Sequence, residues 1–138
     1  MNCLGKTIEE LELERYKIPT FPKKNFTMCI PSVMKEFDQK HKSVILCGIE
    51  CHVCVLQTAL DLIEQGVQVH VVADAVTSRS QTDRHFGLMQ MKHAGACLRT
   101  AESVILELIG GADHPKFKEI QKIIKVRSPD TELLTHML

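Results

Sequence analysis

The residues best suited to covalent chemistry lie in one short stretch, Val44-Ile45-Leu46-Cys47-Gly48-Ile49-Glu50-Cys51-His52-Val53-Cys54. An apolar run ends at Gly48, a small polar turn follows, and a helix-like pattern opens around Cys54. That order predicts a strand–turn–helix with Cys54 at the strand's carboxyl edge and in the first turn of the helix. Backbone N–H groups and the helix dipole at such a position favour a thiolate, the nucleophilic form of cysteine, and the same N–H groups can stabilise an oxyanion. The ordinary alternative is a small buried cysteine that packs helix against sheet. Lys23, followed by Lys24, supplies a cation suited to holding a thiolate or a developing negative charge; its ordinary reading is a solvated surface lysine.

Other chemistries fit less well. Cys51-His52-Val53-Cys54 is a Cys-x-x-Cys, and at a helix start that spacing permits a dithiol redox site. A structural zinc site needs a second closely spaced pair of ligands, and none follows, so no metal or cofactor is expected. Asp74 follows the run Val67–Val72 at the edge where ligands bind in α/β sheets; it either orients a site or caps Thr77 or Ser78. The six cysteines are scattered rather than paired, which reads as free thiols in a reducing compartment.

These side chains need a scaffold, and the chain predicts one. At 138 residues it holds a single domain. Acidic and basic residues number 17 each, so there is no basic footprint for nucleic acid, and no apolar run is long enough to span a membrane. The start of the chain resembles neither a signal nor a transit peptide, so the expected location is the cytoplasm, with the nucleus as the alternative and mitochondria open to longer relatives. Thr7-Ile8-Glu9-Glu10 is a capping-box pattern for a short helix. Phe21–Met28 reads as an extended segment passing into a loop, and Pro31 opens a helix to about Lys40. A buried-type strand covers Ser43–Gly48, and a helix covers His52–Gln65 with Val53, Leu56, Ala59, Leu60 and Ile63 as its apolar stripe. A second strand covers Val67–Val72, then a turn Asp74–Ser80 and a helix Gln81–His93 closed by Gly95. A strand at Ala96–Arg99, a helix at Ala101–Ile109 capped by Thr100, and a helix from Asp113 to about Lys125 complete the domain, with residues 127–138 as a loose tail. Strands alternating with helices give an α/β fold with a mainly parallel sheet.

On these residues the chain resembles the isochorismatase-like (cysteine hydrolase) superfamily, and within it the animal isochorismatase domain-containing proteins of the type-2 kind. The likeness is carried by Gly5–Leu11, Pro22–Met28, Cys47–Cys54, Val69–Ala75, Ser78–Arg84 and His114–Lys122. It implies a three-layer α/β/α hydrolase fold and an Asp-Lys-Cys triad in which Lys23 matches the lysine and Cys54 the nucleophile. It also implies a cis peptide at Ile49–Glu50 in the turn before the cysteine, with the N–H groups of Glu50 and Cys54 facing the oxyanion. The implied reaction is hydrolysis of a small amide-type substrate through an acyl-enzyme.

The departure from the family pattern concerns the aspartate, which the resemblance places at the end of a central strand upstream of the stretch matched by Gly5. No apolar strand ending in Asp-x-Gln precedes Lys23. The expectation is therefore a partial domain lacking the first strand, first helix and second strand, inactive in this form for want of a base, and poorly stable alone because two strand edges lose their neighbour. Alternatives are a non-catalytic binding or regulatory isoform, acting through a protein partner or as a homo-oligomer, and a dithiol redox protein using Cys51 and Cys54.

Overall fold

The computed structural model describes residues 7–37, 42–126 and 130. Its centre is a run of β-branched and apolar residues in three parallel strands: β1 (Ser43–Ile49), β2 (Gln68–Thr77) and β3 (Cys97–Arg99), in the order β1-β2-β3. Helices α1 (Pro31–Glu36), α2 (Leu56–Glu64), α3 (Gln81–Ala94), α4 (Ala101–Ile109) and α5 (Phe117–Ile124) connect or follow them. Parallel neighbours need crossover connections, and the helices α2 and α3 provide them.

Alternation along β2 decides which helix lies on which face. Val69 and Val71 join Val55, Leu56, Ala59 and Leu62 from the α2 side and Leu88 and Met91 of α3 in one core cluster. His70 and Val72 point the other way, toward α4, whose Val104 is buried there. Arg99 of β3 pairs with Glu107 of α4; that guanidinium, and to a smaller extent His70, holds the Glu107 carboxyl below its usual range. Helices therefore cover both faces of a parallel sheet, the α/β architecture expected from the sequence. Helix α5 packs on α4, and Met34 of α1 packs against the main cluster.

Local signals act much as chemistry demands. Ser80 caps α3 by accepting the Asp83 N–H at 3.2 Å, and Gly95 closes the helix at φ 110°. Thr100 and Ser103 form a reciprocal capping box at the start of α4. Four expectations need correction. The Thr7 pattern yields only three residues of 3₁₀ helix, Glu9–Leu11, with no side-chain cap, because Glu12 turns left-handed at φ 46° and nothing there is buried. Helix α1 stops at Glu36, where Phe37 is extended, while residues 38–41 lie outside the described residues. Helix α5 starts at Phe117, not at Asp113, since the Asp113–Lys116 segment is turn. Strand β2 runs on through Thr77, so Asp74 is not in a turn. It extends by bulging: Leu46 pairs with Val71 but Gly48 pairs with Val76, which leaves three surplus residues on β2. The tail expected to be loose, residues 127–138, falls outside the described residues except for Asp130.

Among the described residues, strand β1 pairs with one strand, β2. Strands of parallel sheets are ordinarily covered on both faces and paired on both sides unless at an edge. Here Ile45 is 46% exposed and Ile49 is 66% exposed, and among the described residues no strand lies along the second edge of β1. We expect urea unfolding of the 138-residue chain to be broad, with a slope below the roughly 1–3 kcal/mol/M of small cooperative domains. A sharp transition of ordinary slope would show that the three-stranded unit is self-sufficient.

Candidate active site

The site forms where β1 ends. Gly48 adopts φ 118°, a conformation glycine tolerates, and the peptide bond Ile49–Glu50 is cis. The chain then enters a wide helical turn, Cys51–Val55, before α2 proper. Its hydrogen bonds span five residues: Val55 N–H donates to the Glu50 carbonyl at 3.2 Å, and Leu56 N–H donates to the Cys51 carbonyl. Such π turns carry one more residue than an α turn. Of the stripe read from a 3.6-residue period, Leu56 and Ala59 are buried and Leu60 and Ile63 pack partly buried against the core, while the turn adds Val55 and the helix adds Thr58 and Leu62 to the buried set.

Cys54 lies half-buried in this turn, and Lys23 meets it from 31 residues away in sequence. The Lys23 ammonium stands 3.6 Å from Cys54 Sγ, and it also donates to the carbonyl oxygens of Asn25 at 2.9 Å and Phe26 at 2.7 Å. Three contacts on one ammonium use its donor capacity and aim it, since Lys carries three N–H donors and no acceptor. Lys24 next door is exposed and makes no such contact.

One side chain that sequence reasoning passed over joins the two halves of the site. Thr58 is 4% exposed; its hydroxyl accepts the Met28 N–H at 2.9 Å and donates to the Cys54 carbonyl at 2.6 Å. It thereby fixes the loop that carries Lys23 to the turn that carries Cys54. A threonine one turn after the cysteine was the only signal available.

The remaining candidates sort themselves by contact. Ile49 is exposed at the mouth. Glu50 accepts the Arg79 N–H at 3.1 Å and its carboxylate oxygen lies 3.8 Å from His52 Nδ1. Asp74 does not cap Thr77 or Ser78: its Oδ1 accepts the N–H of Ala101 at 2.7 Å, a contact at the first residue of α4. The β2 bulge swings it there. Arg84 of α3 is 3% exposed and donates to the Ala73 carbonyl at 2.6 Å.

The second cysteine of the Cys-x-x-Cys behaves differently from the first. Cys51 has no exposed surface, and its thiol points at the Arg84 carbonyl at 3.8 Å. Burial pushes its pKa up to about 11, against an opposing pull from Arg84. A thiol so placed is a poor partner for dithiol exchange, which proceeds through thiolates. Cys29, Cys47, Cys51, Cys54 and Cys97 are all free thiols, and no cluster of metal-ligating side chains occurs among the described residues.

The Isochorismatase domain profile matches residues 3–103 of this chain. The chain belongs to the isochorismatase family. As a family member it is 49% identical over 133 residues to human isochorismatase domain-containing protein 2, covering 95% of this chain and 63% of that one. It is 51% identical over 134 residues to mouse isochorismatase domain-containing protein 2A, covering 96% and 64%. The chain thus spans somewhat less than two thirds of the length of these relatives. Among solved structures it is similar to one described as the MAR1 ribonuclease of Caenorhabditis elegans, with 59% identity and a TM-score of 0.76 over 80% of this chain and 57% of that one. A pyrazinamidase/nicotinamidase of Streptococcus mutans shares the fold at 24% identity, with a TM-score of 0.57 over 64% of this chain and 52% of that one.

Two outcomes follow from the geometry. Thr58→Val keeps the shape but strands the Met28 N–H, so it should cost about 1–3 kcal/mol and loosen Lys23 from Cys54, while Thr58→Ser retains both bonds; chemical denaturation of the pair of variants checks this. Cys51 makes stability sensitive to alkali. Its thiol titrates near 9.0 when unfolded and near 11 when folded, so the unfolded chain loses its proton first and stability drains away as pH rises from about 9 to 11. The loss should be on the order of 1–3 kcal/mol, and Cys51→Ala should flatten that part of the stability–pH curve.

Proposed function

We propose that Lys23 and Cys54 are the cation and nucleophile of a cysteine-hydrolase site for small amide-type substrates. The observation that supports the reading is the 3.6 Å approach of the Lys23 ammonium to Cys54 Sγ, across 31 residues of sequence, with Thr58 holding both loops. In such a reaction the thiolate attacks the carbonyl carbon, the amine leaves with a proton, and water releases the acyl group from sulfur. Lys23 stabilises the anionic sulfur before attack and the negative charge that develops after it.

Two of those steps need a base, one to take the thiol proton and one to activate water. Among the described residues no carboxylate hydrogen-bonds Cys54 Sγ; its side-chain partner is Lys23. The described residues therefore bring the nucleophile and its cation together with no carboxylate hydrogen-bonded to the sulfur, and we expect turnover by this chain to be negligible. A binding or regulatory role for the chain is the alternative that this shortfall favours. The dithiol redox reading loses support from the burial and raised pKa of Cys51.

A second reading, RNA cleavage, is favoured by the 59% identity to the protein described as a ribonuclease. Against it stands the balanced composition, with 17 basic and 17 acidic residues, which gives no general phosphate-binding field.

Site-resolved alkylation and turnover test these together. With substoichiometric iodoacetamide at neutral pH, Cys54 should be modified faster than the exposed Cys47 and Cys97, and Lys23→Ala should abolish the preference. Hydrolysis of small aliphatic and aromatic amides should not exceed that of Cys54→Ala, and single-stranded RNA should remain intact. Turnover that depends on Cys54 would show that a base is at hand; RNA cleavage lost in Cys54→Ala would favour the second reading.

A further inference from the structure

The Cys54 turn touches the rest of the domain on its far side through His52, a contact that the hydrolase reading does not use. The imidazole is about a quarter exposed and sits between two carboxylates, with Nδ1 3.8 Å from Glu50 Oε2 and Nε2 4.0 Å from Asp83 Oδ2. Its closest partner is Ser78, whose Oγ lies 2.9 Å from Nδ1 and 3.4 Å from the His52 backbone nitrogen. One proton arrangement satisfies Ser78, the His52 N–H and Asp83, while Glu50 Oε2 is met by the Arg79 N–H instead. The Ser78 hydroxyl donates to Nδ1 and accepts the His52 N–H, leaving the Nε2 proton facing Asp83. The same segment is tied twice more: Glu50 accepts the Arg79 N–H at 3.1 Å, and the Cys51 thiol points at the Arg84 carbonyl.

Helix α3 is shaped to receive this residue. Gly87 lies on its buried face, where an added Cβ would come within 2.9 Å of His52 Cα and 3.2 Å of its Cβ. Ser80 caps the helix and Asp83 lies in its first turn, so the charged and polar groups around the imidazole come from both packed elements: Glu50 from the cysteine turn, and Ser78, Arg79, Asp83 and Arg84 from the loop and helix opposite.

We infer that His52 is a positioning residue for Cys54: it latches the cysteine turn to the start of α3 through Ser78, and so sets how Cys54 Sγ is presented to Lys23. The latch rests on the reading of Cys54 and Lys23 as a functional pair, and it acts from the side opposite to Thr58. Thr58 anchors the wide turn after the cysteine, and His52, beside the Glu50 and Cys51 contacts, anchors it before the cysteine.

The test uses the full chain and the ratio of Cys54 to Cys47 alkylation rates by iodoacetamide, read by peptide mass spectrometry. Cys47 is the internal standard, since it is an exposed thiol on β1 with no part in the latch. His52→Ala and Ser78→Ala should each lower the ratio at least threefold. His52→Asn, which keeps an amide near the Nδ1 position, should return it to within twofold of the parent. A parent-like ratio in His52→Ala or in Ser78→Ala overturns the latch. So does His52→Asn falling as far as His52→Ala, because the residue then matters only as bulk. If His52→Ala fails to fold, Ser78→Ala and His52→Asn decide the matter by the same criteria. A parent chain in which Cys54 reacts no faster than Cys47, or is indifferent to Lys23→Ala, rejects the underlying functional pair instead, and is thereby distinguished from failure of the latch.

Discussion

A single hydroxyl carries the geometry of the site. Thr58 receives one hydrogen bond from Met28 and gives one to Cys54, and each partner belongs to a different loop. Without a shared group, the loop bearing Lys23 would be tied to the cysteine turn mainly by the ammonium itself, and a lysine side chain is a long, four-carbon tether. The buried hydroxyl replaces that tether with two short bonds in a dry setting, where leaving either partner unmet is costly. The close approach of nitrogen to sulfur follows from this constraint.

The constraint works because α2 presents Thr58 on its inner face, and that depends on the π turn before it. A helix entered through a regular α turn would carry its residues at a different phase and leave other side chains facing inward. The wide turn thus does two things at once. It places Cys54 at the mouth of the sheet, and it directs Thr58, with Val55, Ala59 and Leu62, into the core. The five-residue hydrogen bonds of the turn and the burial pattern of α2 are one feature seen from two ends.

Much of this scaffold is legible in the sequence, because the signals concerned are local. The β-branched run at Val67–Val72, the Ser80 and Thr100 caps, and the glycines at Gly95 and Gly110 each declare themselves within a few residues. Position alone marks Cys54 and Lys23 as candidates without joining them. What stays hidden depends on distant partners or on a change of period. Thr58 reads as an ordinary helical threonine until Met28 is beside it. Gly87 reads as a weak point in a helix until His52 is seen to occupy its missing side chain. The end of β2 is misread as a turn, since Asp74 and Ser78 favour turns and nothing nearby reveals that Ala101 claims the aspartate.

The bulge in β2 also governs parity. Val69 and Val71 face α2 and α3, and by simple alternation an even-numbered residue further along would face α4. Yet Val76 joins the same core cluster as Val69 and Val71. The three surplus residues opposite Leu46–Gly48 are an odd number, so they exchange odd for even and return a valine to the core beside the cysteine turn. Gain or loss of one residue within 72–75 would reverse that exchange, turning Val76 outward and Thr77 inward. Chain length in this one segment is therefore as much a part of the site's specification as any side chain in it.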